Sequence, residues 1–468
     1  MRRRRYGSYG RKKSSNSLTI ILLGLLIGAG AYMFTSKGFE RNAPIVHSED
    51  FIYWNRKSPL QIKISDDTAL KSYRVYINDG EHKVEIANDV IPDNAKEKII
   101  NIVYPKQVIN GIRLDPRAEK LQITIEVNDK SNWNFFQGNN TIKRINVEVD
   151  YKRPDINILS NSYSITRGGV GLVVFQVKDK DLKSFYVEAD GNRFKAEPYK
   201  KSGYYATLIV WPYNQENFSA NIVAEDKAGN RRVSNVPFYL VSRKYKTSFL
   251  EAKDKFIDGK ISDLIASDPD YLMIEDRLEK LKAINEVMRT KNEKLIHTLS
   301  SKVSDELLTE WKINRFYPLK NAAKVASFGD DRHYYYKTKD NEVSESKHVG
   351  LDLASTKMAK IVSSNAGTVV YADDNGIYGN MPMIDHGLGL YTIYGHCSNI
   401  IVKTGDKVNA GFVIAQTGKS GLALGDHLHF GVLVQGIEVR PEEWMDRKWI
   451  RDNIDKVFKS ADKIIEGE

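Results

Sequence analysis

The chain has almost no cysteine: Cys397 is the only one in 468 residues. An intramolecular disulfide is therefore impossible, and so is a zinc site built from several thiolates. A clustered basic face is also missing. The net charge of +10 is carried mostly by residues 1–13, which hold seven Arg and Lys and no acid, leaving only +3 for the other 455 residues. A bulk this close to neutral argues against a nucleic-acid partner. Long apolar runs are absent too, with one exception. Residues 18–34 are 17 residues without a charge, at the lower limit for a bilayer span. With cations on the N-terminal side, this run is expected to be a transmembrane anchor (17–34) behind a basic cytoplasmic tail (1–16), with the rest exported. Ala29-Gly30-Ala31 has the small-x-small form of a signal-peptide cleavage site. The apolar run exceeds the roughly 7–15 residues usual for cleavage, which favours an uncleaved single-pass anchor in the cytoplasmic membrane.

What remains is long enough for about three domains. From Asp50 to Val241 short alternating runs and Asn, Asp and Gly turns read as all-β. A weak repeat runs through it. Residues 62–75 (Ile-Lys-Ile-Ser-Asp-Asp-Thr-Ala-Leu-Lys-Ser-Tyr-Arg-Val) align with residues 175–187 (Phe-Gln-Val-Lys-Asp-Lys-Asp-Leu-Lys-Ser-Phe-Tyr-Val). Later in each copy a strand ends in an acidic turn, at Asp129 and at Glu225-Asp226. Two immunoglobulin-like β-sandwiches, 45–150 and 151–245, are the expectation. They show no catalytic constellation and read as spacer or docking modules. Residues 246–312 shift to a helical period. Ile274, Leu278, Leu281, Ile284, Met288 and Leu295 form a stripe that Asn285 and Asn292 interrupt, so a helix packed on its own domain is favoured over a partner-binding coiled coil. Glycine-rich β-structure follows (313–447), then a terminal helix (448–468) with Ile450, Ile454, Val457 and Phe458 on one side.

Six of the nine histidines lie between 333 and 429. His427 and His429 are two apart, so on an extended strand they face the same way. In His348-Val-Gly-Leu-Asp352 the period is also two, placing His348 and Asp352 on one strand face and Val349 and Leu351 on the other. Thr392, Tyr394 and His396 read as one face of a further strand. His348, Asp352 and one histidine of the pair would make a His/His/carboxylate zinc site with a fourth position open to water. The histidines left over would handle a proton or an oxyanion. His386, in a turn, reads as structural, and His333 as a candidate for the groove wall.

Residues 325–440 carry Ser327-Phe-Gly329, His348-x-Gly-x-Asp352, Ala366-Gly-Thr-Val-Val370, Tyr378-Gly-Asn380, Ile384-Asp-His-Gly387, Tyr394-Gly-His396, Thr404-Gly-Asp-Lys-Val408 and His427-Leu-His-Phe430. In this order and spacing they resemble the lysostaphin-type, LytM-like zinc metallopeptidases. The resemblance implies a compact antiparallel β fold and one Zn2+ held by His348, Asp352 and His429. It implies His396 and His427 as the catalytic pair, and endopeptidase action on peptidoglycan cross-links or stems. The alternative is a non-enzymatic LytM-like regulator of other wall hydrolases, acting through the β modules or the helices. The chain departs from the usual motif at Cys397, Asp426 and Gly431, none of which removes a ligand. A further expectation is latency, with the helices and residues 311–321 folded over the site.

Overall fold

The computed structural model describes residues 17–467, which form two compact units. One runs to Lys152 and includes Lys227–Asn230; the other comprises Arg153–Asp226 and Arg231 onward. The expected basic tail lies outside the described residues.

The membrane-spanning expectation is overturned. Ser17–Thr35 form one helix, but no helix among the described residues is long and apolar enough to cross a membrane. At about 1.5 Å per residue, its 19 residues reach about 28 Å, short of a hydrocarbon core of about 30 Å. Gly24, Gly28 and Gly30 dilute it further.

The first unit is a two-sheet sandwich. Ile45–His47, Leu60–Ser65 and Glu97–Ile102 make one sheet. Phe51–Trp54, Asn140–Val149, Lys120–Asp129, Leu70–Asn78 and Lys83–Val90, in that spatial order, make the other. The second unit opens with a sandwich of the same plan. Asp155–Asn161, Val170–Lys178 and Tyr204–Val210 are neighbours in one sheet. Arg231–Asn235, Ala220–Asp226, Leu182–Ala189 and Asn192–Phe194 form the other. The weak repeat therefore marks equivalent strands. Its first part crosses from one sheet to the other, at 60–65 to 70–78 and at 170–178 to 182–189. Its acidic turns end the strands that pair antiparallel with the latter.

Residues 246–312 are not helical throughout. Thr247–Glu251 is a strand, paired parallel with Asp330–Tyr335, and Phe249 stacks on His333 there with ring centroids 5.3 Å apart. Helices follow at residues 254–267 and 277–300, the latter widened at Ala283–Met288. Leu281, Ile284, Met288 and Ile296 are buried in one apolar cluster with Met381, Met383, Tyr391 and Ile393 of the following β region. The two asparagines that break the stripe supply polar bonds to that region. Asn285 Nδ2 donates to Ser344 Oγ (2.9 Å), and Asn292 Oδ1 accepts from the Ile377 amide (2.9 Å). Buried polar side chains are costly unless bonded in this way.

The β region is organised by one mixed-length antiparallel sheet. In spatial order it holds Ala323–Ala326, Leu351–Ala354, Leu428–Val434, Leu390–Gly395, Asn380–Asp385, Gly367–Asp374 and Lys407–Val408. Leu428–Val434 is buried along its whole length, which explains its near-continuous apolar sequence. The C-terminal helical residues 447–466 bury Ile450, Ile454, Val457 and Phe458. They pack on the sandwich of the same unit, where Tyr199 donates to Asp462 (2.7 Å).

Candidate metal centre and active site

The centre of the sheet sets the site. Asp352 and Gly395 flank His429 directly across two antiparallel ladders. Residues directly opposite share a face, so His429 and Asp352 point to one side. Leu351, Phe430 and Tyr394, each displaced by one, point to the other. His348 is not on the same strand as Asp352, as the period-2 reading expects. Glu342–His348 pairs with Asp330–Tyr335 in a separate sheet, the chain bends at Val349-Gly350, and Leu351–Ala354 joins the main sheet. The bend brings His348 back against Asp352. Gly350 sits at the closest approach: a Cβ there would lie 2.5 Å from His429 Nε2 and 3.0 Å from the Phe430 carbonyl oxygen.

Three ligand atoms converge. His348 Nε2 is 3.0 Å from Asp352 Oδ1 and 3.2 Å from His429 Nδ1, and His429 Nδ1 is 3.0 Å from Asp352 Oδ1. Two ligands bonded at 2.0–2.1 Å to a tetrahedral zinc would stand about 3.3 Å apart. The donor chemistry also fits. His348 Nδ1–H donates to the Ser327 carbonyl (2.8 Å), so its Nε2 carries the lone pair, aimed at a carboxylate oxygen and a second imidazole. Burial works to raise the Asp352 pKa, but its close contacts with His348 and His429 overcome it and hold the carboxyl well below the usual range. Burial pushes His429 down to about 4, against the pull of Asp352. An anionic carboxylate beside two lone-pair nitrogens suits a divalent cation.

His396 and His427 face the same space, with ring centroids 4.8 Å apart. Each is anchored through Nδ1–H, to the Ser420 carbonyl (2.9 Å) and to the Gly425 carbonyl (2.9 Å), which leaves both Nε2 atoms free. His427 Nε2 is 3.7 Å from Asp352 Oδ1. Alternation alone would put His396 with Tyr394, on the wrong side of the sheet. The strand instead ends at Gly395, and His396 takes φ +65°, a left-handed backbone uncommon outside glycine. That turn swings its ring to 5.8 Å from His429. Burial, reinforced by His429 and His427, pushes His396 down to about 3.

These residues open into a cleft of about 880 Å³, which Phe256 and Arg289 of the helical segment and Leu250 of the strand before it also border. No residue of 311–321 lines it. That stretch packs elsewhere, with Trp311 donating to the His386 carbonyl (2.8 Å) and the Phe316 amide to the Trp444 carbonyl (2.9 Å). His386 is buried with one ring nitrogen 2.8 Å from the Ala366 carbonyl and the other 2.8 Å from Thr392 Oγ1, away from the ligand cluster. His333 faces Glu342 at 2.7 Å. Sequence reasoning missed two groups. Arg332 reaches within 3.9 Å of Asp352 Oδ2 and holds Asp330 at 3.3 Å; its place in Phe328-Gly-Asp-Asp-Arg332, beside the Ser327-Phe-Gly329 motif, was the available signal. Tyr378 packs its ring edge-on to His429 at 5.4 Å, and its carbonyl accepts from the His396 amide (2.7 Å).

Residues 346–441 match Peptidase family M23. The peptidoglycan DD-endopeptidase ShyA of Vibrio cholerae serotype O1 is 33% identical over 120 residues, 26% of this chain and 27% of that protein. Stage II sporulation protein Q of Bacillus subtilis is 33% identical over 112 residues, 24% of this chain and 40% of that protein. The catalytic domain of the antimicrobial peptidase lysostaphin from Staphylococcus simulans is 25% identical, with 27% of this chain and 92% of that one covered at a TM-score of 0.23. The chain thus spans between about a quarter and two-fifths of the length of these two curated relatives. The C-terminal region of the chain carries a LytM-like domain of peptidase family M23.

Proposed function

We propose that this domain is a zinc-dependent endopeptidase that hydrolyses peptide bonds in peptidoglycan cross-links or stems. The observation that carries the reading is the convergence of His348 Nε2, Asp352 Oδ1 and His429 Nδ1 within 3.2 Å of one another, beside two further imidazoles with free Nε2 atoms. The three converging residues would hold the metal. When bound, zinc supplies Lewis acidity and lowers the pKa of a water to about 7. His396 and His427 do the proton work. One accepts the proton released as water adds to the carbonyl carbon. The same proton goes to the amine nitrogen as the C–N bond breaks, while the other imidazole, in its imidazolium form, donates Nε2–H to the oxyanion. His396, held neutral by burial, is the one suited to accept. Arg332 places a positive charge 3.9 Å from Asp352 Oδ2, on the side away from the converging nitrogens. The cleft of about 880 Å³ beside these residues is the space for the substrate peptide. Peptidoglycan lies outside the cytoplasm, so the reading requires the domain to reach the cell wall.

The test is digestion of purified wall fragments by the full chain, with the products identified by mass and zinc measured in the same preparation. A His429→Ala variant that still cleaves fully would overturn the assignment. A zinc-free wild-type protein that cleaves nothing yet stimulates another wall hydrolase would favour the regulator, the reading that similarity to a sporulation protein keeps open.

A further inference from the structure

The first β-sandwich holds a second group of converging ligands, far in sequence from the histidines. Glu40, Asp66 and Asp129 each bring a carboxylate oxygen within 4.8 Å of the other two. Three separate segments supply them. Glu40 follows the short turn Lys37–Phe39, Asp66 follows the strand Leu60–Ser65, and Asp129 ends the strand Lys120–Asp129. Asp129 is the acidic turn that the repeat singles out and that the proposed activity does not use.

Two of the three carboxylates are held through one oxygen and leave the other without a partner, while Asp129 is held through both. Asp66 Oδ1 accepts the amides of Thr68 (2.9 Å) and Ala69 (2.8 Å). Asp129 Oδ1 accepts those of Ser131 (3.0 Å) and Asn139 (2.7 Å), and its Oδ2 accepts Asn139 Nδ2 (2.7 Å). Glu40 Oε2 accepts Thr68 Oγ1 (2.7 Å). What remains is Asp66 Oδ2 and Glu40 Oε1, both buried and without a hydrogen-bond partner among the described residues. Asp66 is only 8% exposed, and Asp129 is fully buried. Unpartnered buried carboxylate oxygens are rare because the desolvation cost goes uncompensated. No Lys or Arg among the described residues pairs with any of the three. Burial and the neighbouring carboxylates raise the pKa of both Glu40 and Asp66, as expected of like charges lacking a counterion.

We propose that Glu40, Asp66 and Asp129 bind a divalent cation, with calcium the best chemical fit. The donors are all hard carboxylate oxygens on loops and strand ends, with no nitrogen or sulfur, which suits Ca2+ rather than Zn2+. A cleft of about 630 Å³ bordered by Asp66, Asn42, Ser65 and Lys96 opens beside Asp66, with Lys96 Nζ tied to the Asp67 carbonyl (2.7 Å). Bound there, the ion ties the segment that leads into the sandwich to two of its strand ends.

Calcium chloride is titrated into the full, zinc-loaded chain and followed by calorimetry and by thermal melting. One saturable site is expected, with Kd of about 10⁻⁴ to 10⁻³ M, the range of extracellular modules. Saturation should raise the melting temperature of this unit by several degrees. Glu40→Gln, at a half-buried position, and Asp66→Asn should each weaken binding at least tenfold while keeping the far-ultraviolet circular dichroism of the wild type. Absence of a saturable response in the wild type would overturn the proposal, and so would variants that bind as it does. If the three carboxyls merely share protons, calcium has no effect and either substitution raises the melting temperature at pH 7, which also overturns it.

Discussion

Replacing Gly350 with alanine adds one methyl group at the tightest point of the site. The new Cβ would lie 2.5 Å from His429 Nε2, 2.6 Å from its Cε1 and 3.0 Å from the Phe430 carbonyl oxygen. Reaching an ordinary contact of about 3.5 Å requires about 1 Å of movement. His429 has nowhere to go: it is buried and packed edge-on against Tyr378 (5.4 Å) and His348 (5.0 Å). The carbonyl belongs to the central strand and cannot yield either. Overpacking of this kind costs about 1–3 kcal/mol, while a ligand set must be held to within about 0.5 Å. The strain therefore falls on His429 Nδ1, and metal affinity should drop roughly 10- to 100-fold, the loss typical when a ligand's support is disturbed. That factor equals about 1.4–2.8 kcal/mol, inside the overpacking range, so the two routes to the number agree. The assay is zinc content after dialysis against a graded chelator, with circular dichroism to confirm folding. A Gly350→Ala protein that keeps wild-type zinc affinity and wild-type hydrolysis would refute the reasoning.

His396→Ala and His427→Ala remove groups that stand beside the ligand cluster rather than in it. Each should retain zinc while hydrolysis falls about 10²- to 10⁴-fold, measured on defined wall peptides; loss of the metal instead would make that residue a ligand. Asn292→Ala strips the acceptor from the buried Ile377 amide, next to Tyr378 in the site wall. An unpaired buried donor costs about 1–3 kcal/mol, so the melting temperature and the turnover should fall together. His386 is fully buried and pushed down to about 4 by that burial. Between pH 4 and about 6.5 the unfolded chain binds a proton that the folded chain does not. The stability tied to neutral His386 is thus complete above pH 6.5 and lost as the pH falls toward 4, about 3 kcal/mol in all. Urea unfolding of His386→Gln at pH 7.5 and 4.5 should show a smaller acid-side loss than the wild type, and an identical loss would exclude the residue as its source.

Local pattern carried much of the fold because the modules are regular. The repeat at 62–75 and 175–187 was readable from a dozen residues, since in both copies those residues make the same crossing between sheets. Asn285 and Asn292 were legible only as interruptions. Nothing in a single helix says that a buried Asn will meet Ser344 or the Ile377 amide, because those partners come from tertiary packing 59 and 85 residues away. The strand at Thr247–Glu251 was hidden for the same reason, its partner being Asp330–Tyr335. The apolar run at 18–34 misled because it sits at the lower length limit for a span and carries three glycines, Gly24, Gly28 and Gly30, that dilute its apolar surface.

The site divides along a sharper line. Strand parity puts His427 and His429 on one side, because that property is local and periodic, but it fails for His348 and Asp352, which lie on two different strands. Parity fails for His396, where one left-handed residue at the end of a strand reverses the side to which the ring points. It is equally silent on which ring nitrogen does what. His348, His396 and His427 all spend Nδ1–H on backbone carbonyls, of Ser327, Ser420 and Gly425, and so all present Nε2. His429 alone presents Nδ1 to its neighbours. Those carbonyls lie on loops whose course depends on the whole fold, so a motif read as letters cannot separate a ligand from a proton carrier. Once the tautomers are fixed, the separation rests on position: a nitrogen that meets Asp352 and a second imidazole within 3.2 Å is placed to share an ion, and one that stands apart with its Nε2 free is placed to move a proton.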